Sequence, residues 1–346
     1  MPNDRDYAVI IGINNYSSQY SQLNGPNRGA EEFKNILVTI GDIPNNNTNI
    51  KMITSNNILG NLNPTVSQIE SAFNDIITQN NDVFSGRRLY IFLSGHGISL
   101  GNIDSKDPID TALLTAEASN KAKSCHIAGI AYSNWFKMSA IFEDIILIMD
   151  CCRDDYSAMK ARPPLIDENQ IINKEDAGDV ETFFIFSTKY PQKAKDSTVL
   201  NEMTPFTSKL IEGLKGAAKS DNGNHITAQS LYNYLYNLKL PNKQEPDSIL
   251  NMNPDKVIFD LPNIEGDIQT NVNIVFSKQI QNACISYYDK NSKINITVKT
   301  QGQPTDNWNI NLDYNKRYTL NVNEDEYTAR IDTFGKLELN LTLEIN

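Results

Sequence analysis

Arg87-Arg-Leu-Tyr-Ile-Phe-Leu-Ser-Gly-His-Gly97 and its echo, Asp144-Ile-Ile-Leu-Ile-Met-Asp-Cys-Cys-Arg153, decide how this chain folds. Each is a short, almost unbroken apolar run that ends in chemically active residues. Runs of that length, rich in Ile, Leu and aromatics, read as strands buried on both faces of a parallel sheet. Open α/β sheets carry their chemistry just beyond the carboxyl ends of such strands. One strand then delivers His96, and the other Cys151 and Cys152, to the same rim. A histidine and a cysteine so delivered are the parts of a thiol nucleophile and its base.

Working outward, Tyr7–Ile13 reads as an opening strand, and Arg28–Ile40 as a helix with Phe33, Ile36, Leu37 and Ile40 on one face. Ile50–Thr54 reads as a strand and Pro64–Gln79 as a helix. Ile98–Pro108 is loop-like, and Ala112–Thr115 a minor strand. A helix over Ile127–Phe142 precedes the strand Ile145–Met149. Thr182–Ser187 is a fifth core strand, Pro205–Leu214 and Thr227–Leu240 are helices, and Val257–Asp260 is a last short strand. This alternation predicts an α/β fold, a mainly parallel six-stranded sheet flanked by helices.

Beyond Leu261 the pattern changes. Val272, Ile274 and Phe276 alternate with polar residues, as do Ile294, Ile296 and Val298, and Leu337, Leu339, Leu341 and Leu343. About seven such runs predict a C-terminal all-β, sandwich-like domain. The expected organisation is a first domain over 1–262 and the β domain over 263–346. Within the first, a large part ends near 153, a charged, aperiodic linker spans about 154–180, and a small part covers 181–262.

Composition excludes several classes. The 346 residues are 40% hydrophobic and 21% charged, as in a soluble globular protein. A net charge of −11 argues against a nucleic-acid partner, which needs a basic face. No apolar run is long enough for a membrane helix, and the polar start of the chain is not a secretory signal. Four cysteines, two of them adjacent, are too few for a disulfide framework; a reducing, cytoplasmic location is expected.

With His96 and Cys152 in place, the chain resembles the caspase-like cysteine proteases of the peptidase C14 type, and within them the bacterial caspase homologues and metacaspases. The resemblance covers roughly residues 5–262. It rests on Ala8-Val-Ile-Ile-Gly-Ile-Asn14, Leu23-Asn-Gly25, Ser94-Gly-His-Gly97 and Asp150-Cys-Cys-Arg153, with support from Phe186-Ser-Thr188, Pro205-Phe-Thr207 and Asp255-Lys-Val-Ile-Phe259. The offset from His96 to Cys152, 56 positions, is near the family's spacing of about 50.

The resemblance implies a caspase-hemoglobinase-like fold and a cysteine-type endopeptidase performing limited proteolysis through a thioester acyl-enzyme. His96 and Cys152 would be the catalytic pair, with His96 forming and keeping the thiolate, and the Gly97 and Cys152 amides the oxyanion hole. Cys151 would be a packing residue, because neighbours on an extended segment point to opposite sides. In metacaspases the acidic residue two before the nucleophile looks into the S1 pocket. Asp150 therefore implies Arg or Lys at P1, and Arg28 is a second S1 candidate, beside Gly29 where the family pattern has Asp.

The linker lies where family members are cut between subunits, so Lys160, Arg162 and Lys174 are candidate self-cleavage sites. A bacterial stress, cell-death or anti-phage pathway is the setting the resemblance suggests. The expected partners are a protein or peptide substrate and a regulatory protein docking on the β domain, with no nucleic acid and no membrane. The alternative is a catalytically silent caspase-fold scaffold that binds a partner through the β domain. No metal or cofactor is assigned: Cys125, His126, Cys151 and Cys152 lack zinc-site spacing. Calcium activates some metacaspases, but Asp104, Asp107 and Asp110 lack a calcium-loop pattern.

Overall fold

Strands buried on both faces must satisfy their backbone groups by pairing with one another. The computed structural model describes residues 3–17, 19–56, 62–77, 86–101, 110–119, 124–156, 162, 164, 176–221, 223–261, 269–289, 294–313, 316–323, 326–333 and 338–345. The first elements are β1 (Asp6–Gly12), α1 (Pro26–Thr39), β2 (Ile50–Thr54), α2 (Val66–Ile77) and β3 (Gly86–Ser94). Then come β4 (Gly97–Leu100), β5 (Asp110–Leu114), β6 (His126–Ala128), α3 (Gly129–Ser139), β7 (Phe142–Asp150) and β8 (Asp154–Tyr156). They are followed by β9 (Glu181–Phe186), α4 (Pro205–Glu212), β10 (His225–Thr227), α5 (Ala228–Tyr236), β11 (Asp247–Asn251) and β12 (Val257–Asp260). The chain divides into two compact units, Met1–Leu214 with Lys219–Asp260 and Lys215–Ala218 with Leu261–Asn346.

In the first unit the main sheet has the order β11-β9-β7-β3-β1-β2. Its pairs are parallel except β9 with β11. Alternation sorts the strand residues between two faces. Val9, Ile11, Leu89, Ile91, Leu93 and Met149 share a core with Phe73 and Ile76 of α2 and Tyr132 and Phe136 of α3. On the opposite face Phe33 of α1 stacks on Phe92 at 4.8 Å and meets Tyr90 edge-on at 6.3 Å. A smaller sheet, β6-β5-β4-β8, adds Ile98, Leu113 and Ile127 to the first core. Asp110 at the start of β5 accepts the Ile130 and Ala131 N–H groups at 2.8 and 2.6 Å, which caps α3.

The last core strand differs from the sequence expectation. Val257–Asp260 pairs with β10 in a separate two-stranded sheet, and β11 takes the sixth place. The cause is exposure: β11 is an edge strand with Ile249 43% exposed, so it needs no apolar run. Gly97–Leu100, expected to open a loop, is the strand β4.

At the end of the sheet away from the carboxyl rim, Arg88 and Asp144 face each other across β3 and β7. Asp144 Oδ2 accepts from Arg88 Nε at 3.1 Å and Nη2 at 2.8 Å, and Oδ1 meets Lys256 Nζ at 2.5 Å. Arg88 also donates to the Ile258 and Val257 carbonyls, tying β12 to the sheet. Removing one partner of a buried pair leaves the other charge unpaired, at a cost of about 3–5 kcal/mol. Asp144→Ala is expected to lower the urea-unfolding free energy by about that amount; a loss below about 1 kcal/mol would refute the assignment.

The second unit contains β13 (Gln269–Ile280), β14 (Ala283–Asp289), β15 (Ile294–Gln301), β16 (Thr305–Asp313), β17 (Arg317–Val322), β18 (Tyr327–Asp332) and β19 (Glu338–Leu343). They form two sheets, β16-β13-β19 and β15-β14-β17-β18, antiparallel except for the pair β13 and β19. The alternating residues Val272, Ile274, Trp308, Ile310, Leu320 and Ile331 meet in one core between them. Among the described residues no helix is long and apolar enough to cross a membrane.

Candidate active site

Ser94 closes β3 in register with Asp150 at the end of β7, so the residues that follow emerge side by side at the carboxyl rim. Neighbouring strands lie about 4.8 Å apart. Gly95 makes the exit from β3, with φ +156° and a Cβ position that would lie 2.3 Å from the Tyr16 hydroxyl. A side chain fits neither condition. His96 follows. Its N–H donates to the Tyr16 hydroxyl at 2.8 Å, and that hydroxyl donates to the Leu114 carbonyl at 3.2 Å. The Tyr16 ring packs edge-on to the imidazole at 4.7 Å, and Tyr20 lies 5.5 Å away.

His96 Nε2 sits 2.9 Å from the Ser21 carbonyl. A carbonyl only accepts, so Nε2 carries the proton and Nδ1 is the basic nitrogen. Burial lowers the imidazolium pKa, with the Ser21 carbonyl and the Asp196 and Asp154 carboxylates opposing it.

The two cysteines separate as alternation requires. Cys151 is 2% exposed within the first unit's core, and burial pushes its thiol far up. Cys152 is partly exposed and directs its thiol at the Ala194 carbonyl, 3.7 Å away. Burial, then the Asp154 carboxylate, pushes this thiol up to about 11. Burial thus disfavours the charged form of both the histidine and the cysteine. Gly97 passes directly behind the pair, since a Cβ on it would meet Cys151 Sγ at 2.5 Å and the Cys152 carbonyl at 2.6 Å. Arg153 anchors the turn: it donates to Thr111 Oγ1 at 3.1 Å and Asp247 Oδ2 at 2.7 Å and covers the Phe186 ring at 4.4 Å.

His96, Cys152 and Asp150 line one open cleft of about 390 Å³. Leu23 and Pro26, after β1, form one wall, and Ala194, Lys195, Asp196 and Thr204, after β9, form the other. The cleft opens where the sheet order reverses between β1 and β3, the usual ligand position in such sheets. Asp150 is 3% exposed. Its Oδ2 accepts from the Thr204 hydroxyl, and from Thr207 Oγ1 at 2.6 Å. Burial raises its carboxyl above the ordinary range, against the pull of those two hydroxyls and of the nearby Ser187 hydroxyl. Ser187 itself donates to the Cys151 carbonyl, at 3.3 Å. Asp150 Oδ1 and Ser94 Oγ, on register-paired residues, are buried and have no hydrogen-bond partner among the described residues. Two unpaired oxygens, one of them carboxylate, suit a cationic, donor-rich group.

Arg28 is not among the described residues that line the cleft. It lies on the exposed side of α1, paired with Glu31 at 3.3 Å and Glu32 at 2.5 Å. Lys160 and Lys174 fall outside the described residues. Arg162 is held at two points, its N–H 3.3 Å from His126 Nε2 and its guanidinium 3.6 Å from Glu70. Pro163 follows it, so the next peptide nitrogen carries no proton. Among the described residues no group of His, Cys, Asp and Glu is arranged to hold a metal ion. Asp104 and Asp107 lie outside those residues, and Asp110 is engaged in capping α3.

Sequence reasoning did not single out Ser94, Tyr16, Ser21, Arg153, Asp196 or Thr204. Ser94 and Arg153 stood in the quoted motifs, Ser94 as the polar end of an apolar strand, without a role of their own. The others act through contacts far apart in the chain.

Among solved structures the chain is similar to a protein of Geobacter sulfurreducens, at 13% identity and TM-score 0.48, covering 72% of this chain and 94% of that one. It is also similar to caspase-1 of Spodoptera frugiperda, at 11% identity and TM-score 0.46, covering 77% and 93%. No curated protein matches it. The caspase-domain model of the peptidase C14 family matches residues 5–256, most of the chain and all of the strands that build the cleft. The chain belongs to the caspase family.

Proposed function

We propose that this protein is a cysteine endopeptidase that cleaves after Arg or Lys, with Cys152 as nucleophile and His96 as its base. The observation that carries this is the meeting of His96, Cys152 and the buried, half-satisfied Asp150 in one cleft. Cys152 Sγ attacks the scissile carbonyl carbon while its proton passes to His96 Nδ1. The negative oxygen that forms takes hydrogen bonds from the Gly97 and Cys152 N–H groups, each worth about 3 kcal/mol in the transition state. His96 then gives the proton to the leaving amine, and water hydrolyses the thioester. Because burial disfavours both charged forms, His96 acts as a general base during attack instead of holding a standing thiolate.

At the floor, Asp150 Oδ1 and Ser94 Oγ receive the P1 guanidinium or ammonium. Membership of the caspase family supports a regulated role in limited proteolysis. The test is a set of fluorogenic peptides differing only at P1, as Arg, Lys, Asp and Leu. Turnover confined to Arg and Lys is expected. Turnover of Asp or Leu alone would overturn the S1 assignment, and cleavage of none, even at high enzyme concentration, would favour the scaffold.

A further inference from the structure

Among the described residues lining the cleft, Asp196 is the one carboxylate besides Asp150. Its two oxygens are divided: Oδ2 accepts the Asn24 N–H at 2.7 Å and Oδ1 the Gly25 N–H at 3.0 Å. Its neighbour continues the seam, as the Ser197 carbonyl accepts Asn24 Nδ2 at 3.0 Å. Gly25 is the N-cap residue of α1 and Pro26 has no N–H; Asn14 Oδ1 takes the Asn27 N–H of the first turn at 2.9 Å, and Asp196 takes the N–H groups of Gly25 and Asn24 from the opposite wall.

The segment sewn down in this way also touches the nucleophile, because Ala194 offers its carbonyl to the Cys152 thiol. On its own side of the cleft the segment is fastened through the Gln192 carbonyl to the Arg153 N–H and through the Lys195 N–H to Gln244 Oε1, both at 3.0 Å. Those bonds fix where the wall begins. Asp196 and Ser197 fix how far it stands from Leu23 and Pro26.

We propose that Asp196 is a positioning residue: by holding Asn24 and Gly25 across the cleft, it sets the wall over 192–197 and the width of the seat for a basic P1 side chain. The effect on substrates rests on the protease reading; the clamp itself does not. Its charge adds to the effect, because it is felt both at Asp150 and at His96.

The test uses the full chain with Asp196→Ala and Asp196→Asn. The first removes both acceptors; the second keeps the shape and one acceptor. In Asp196→Ala, Cys152 should react with iodoacetamide about five-fold faster at fixed pH, and hydrogen exchange at Asn24 and Gly25 should speed up. KM for an Arg-P1 peptide should rise about ten-fold while kcat changes less than about three-fold. Asp196→Asn should fall between, and it carries the test if the alanine variant fails to fold. Unchanged alkylation and exchange in a folded variant would overturn the proposal. If labelling and exchange respond while the wild-type protein cleaves no peptide, the clamp stands and the protease reading fails.

Discussion

Cys152→Ala is expected to lower kcat/KM on an Arg-P1 peptide by roughly ten-thousand- to million-fold, the scale seen when a nucleophile acting as part of a unit is removed. Without the sulfur there is no thioester, and what remains is binding plus polarisation by the oxyanion donors. The adjacent Cys151 cannot substitute, since its side chain faces the core behind Gly97. Cys151→Ala should cost stability and leave the chemistry largely intact. The resting ionisation gives a second signature. With the Cys152 thiol raised to about 11, its alkylation rate should still be climbing at about pH 9 and show no plateau near pH 6. Initial rates and the mass of the labelled peptide decide the matter. Activity that survives in Cys152→Ala, or that disappears only in Cys151→Ala, would sink the assignment.

Asp150→Asn should cut kcat/KM for Arg-P1 peptides by roughly 30- to 5000-fold, the range for losing one partner of a buried charge pair. Activity on a Leu-P1 peptide, if any, should barely move. The substitution keeps the volume, and Thr204 and Thr207 retain an oxygen to donate to, so the cleft should hold its shape. The pH dependence follows from the raised carboxyl. A P1 cation needs the charged form of Asp150, so Arg-P1 activity should fall on acidification at a pH above that of an ordinary aspartate. Stability responds with the opposite sign. A carboxyl whose folded pKa lies above its unfolded value favours the fold as pH drops through the folded pKa, so the free protein should gain stability where it loses substrate. An Arg preference preserved in Asp150→Asn would place the specificity elsewhere.

Legibility followed burial. β1, β3, β7 and β9 could be read directly because strands covered on both faces must be apolar along their whole length. β11 could not, because an edge strand with exposed Ile249 is held by its hydrogen bonds to β9. β4 was hidden for a related reason: Gly97–Leu100 is too short for periodicity, and its partner β5 begins only at Asp110. In the site, His96 and the cysteine pair were legible as polar ends of apolar strands; alternation allowed only one of Cys151 and Cys152 to face His96, and the family pattern chose Cys152. The pairing of Ser94 with Asp150 needed the register between β3 and β7. The roles of Ser21, Tyr16 and Asp196 depend on partners 75, 80 and 171 or more positions away.

By itself the sequence determined the strand and helix periods, the α/β and all-β halves, and which residues arrive at the catalytic rim. Those properties are local, set by side-chain burial at spacings of two and of about 3.6 residues. Only the tertiary structure decided the protonated nitrogen of His96, the raised thiol of Cys152, the buried, half-satisfied carboxyl of Asp150 and the clamp at Asp196. Each of these depends on desolvation and on hydrogen bonds between distant segments, and neither exists until the chain has folded.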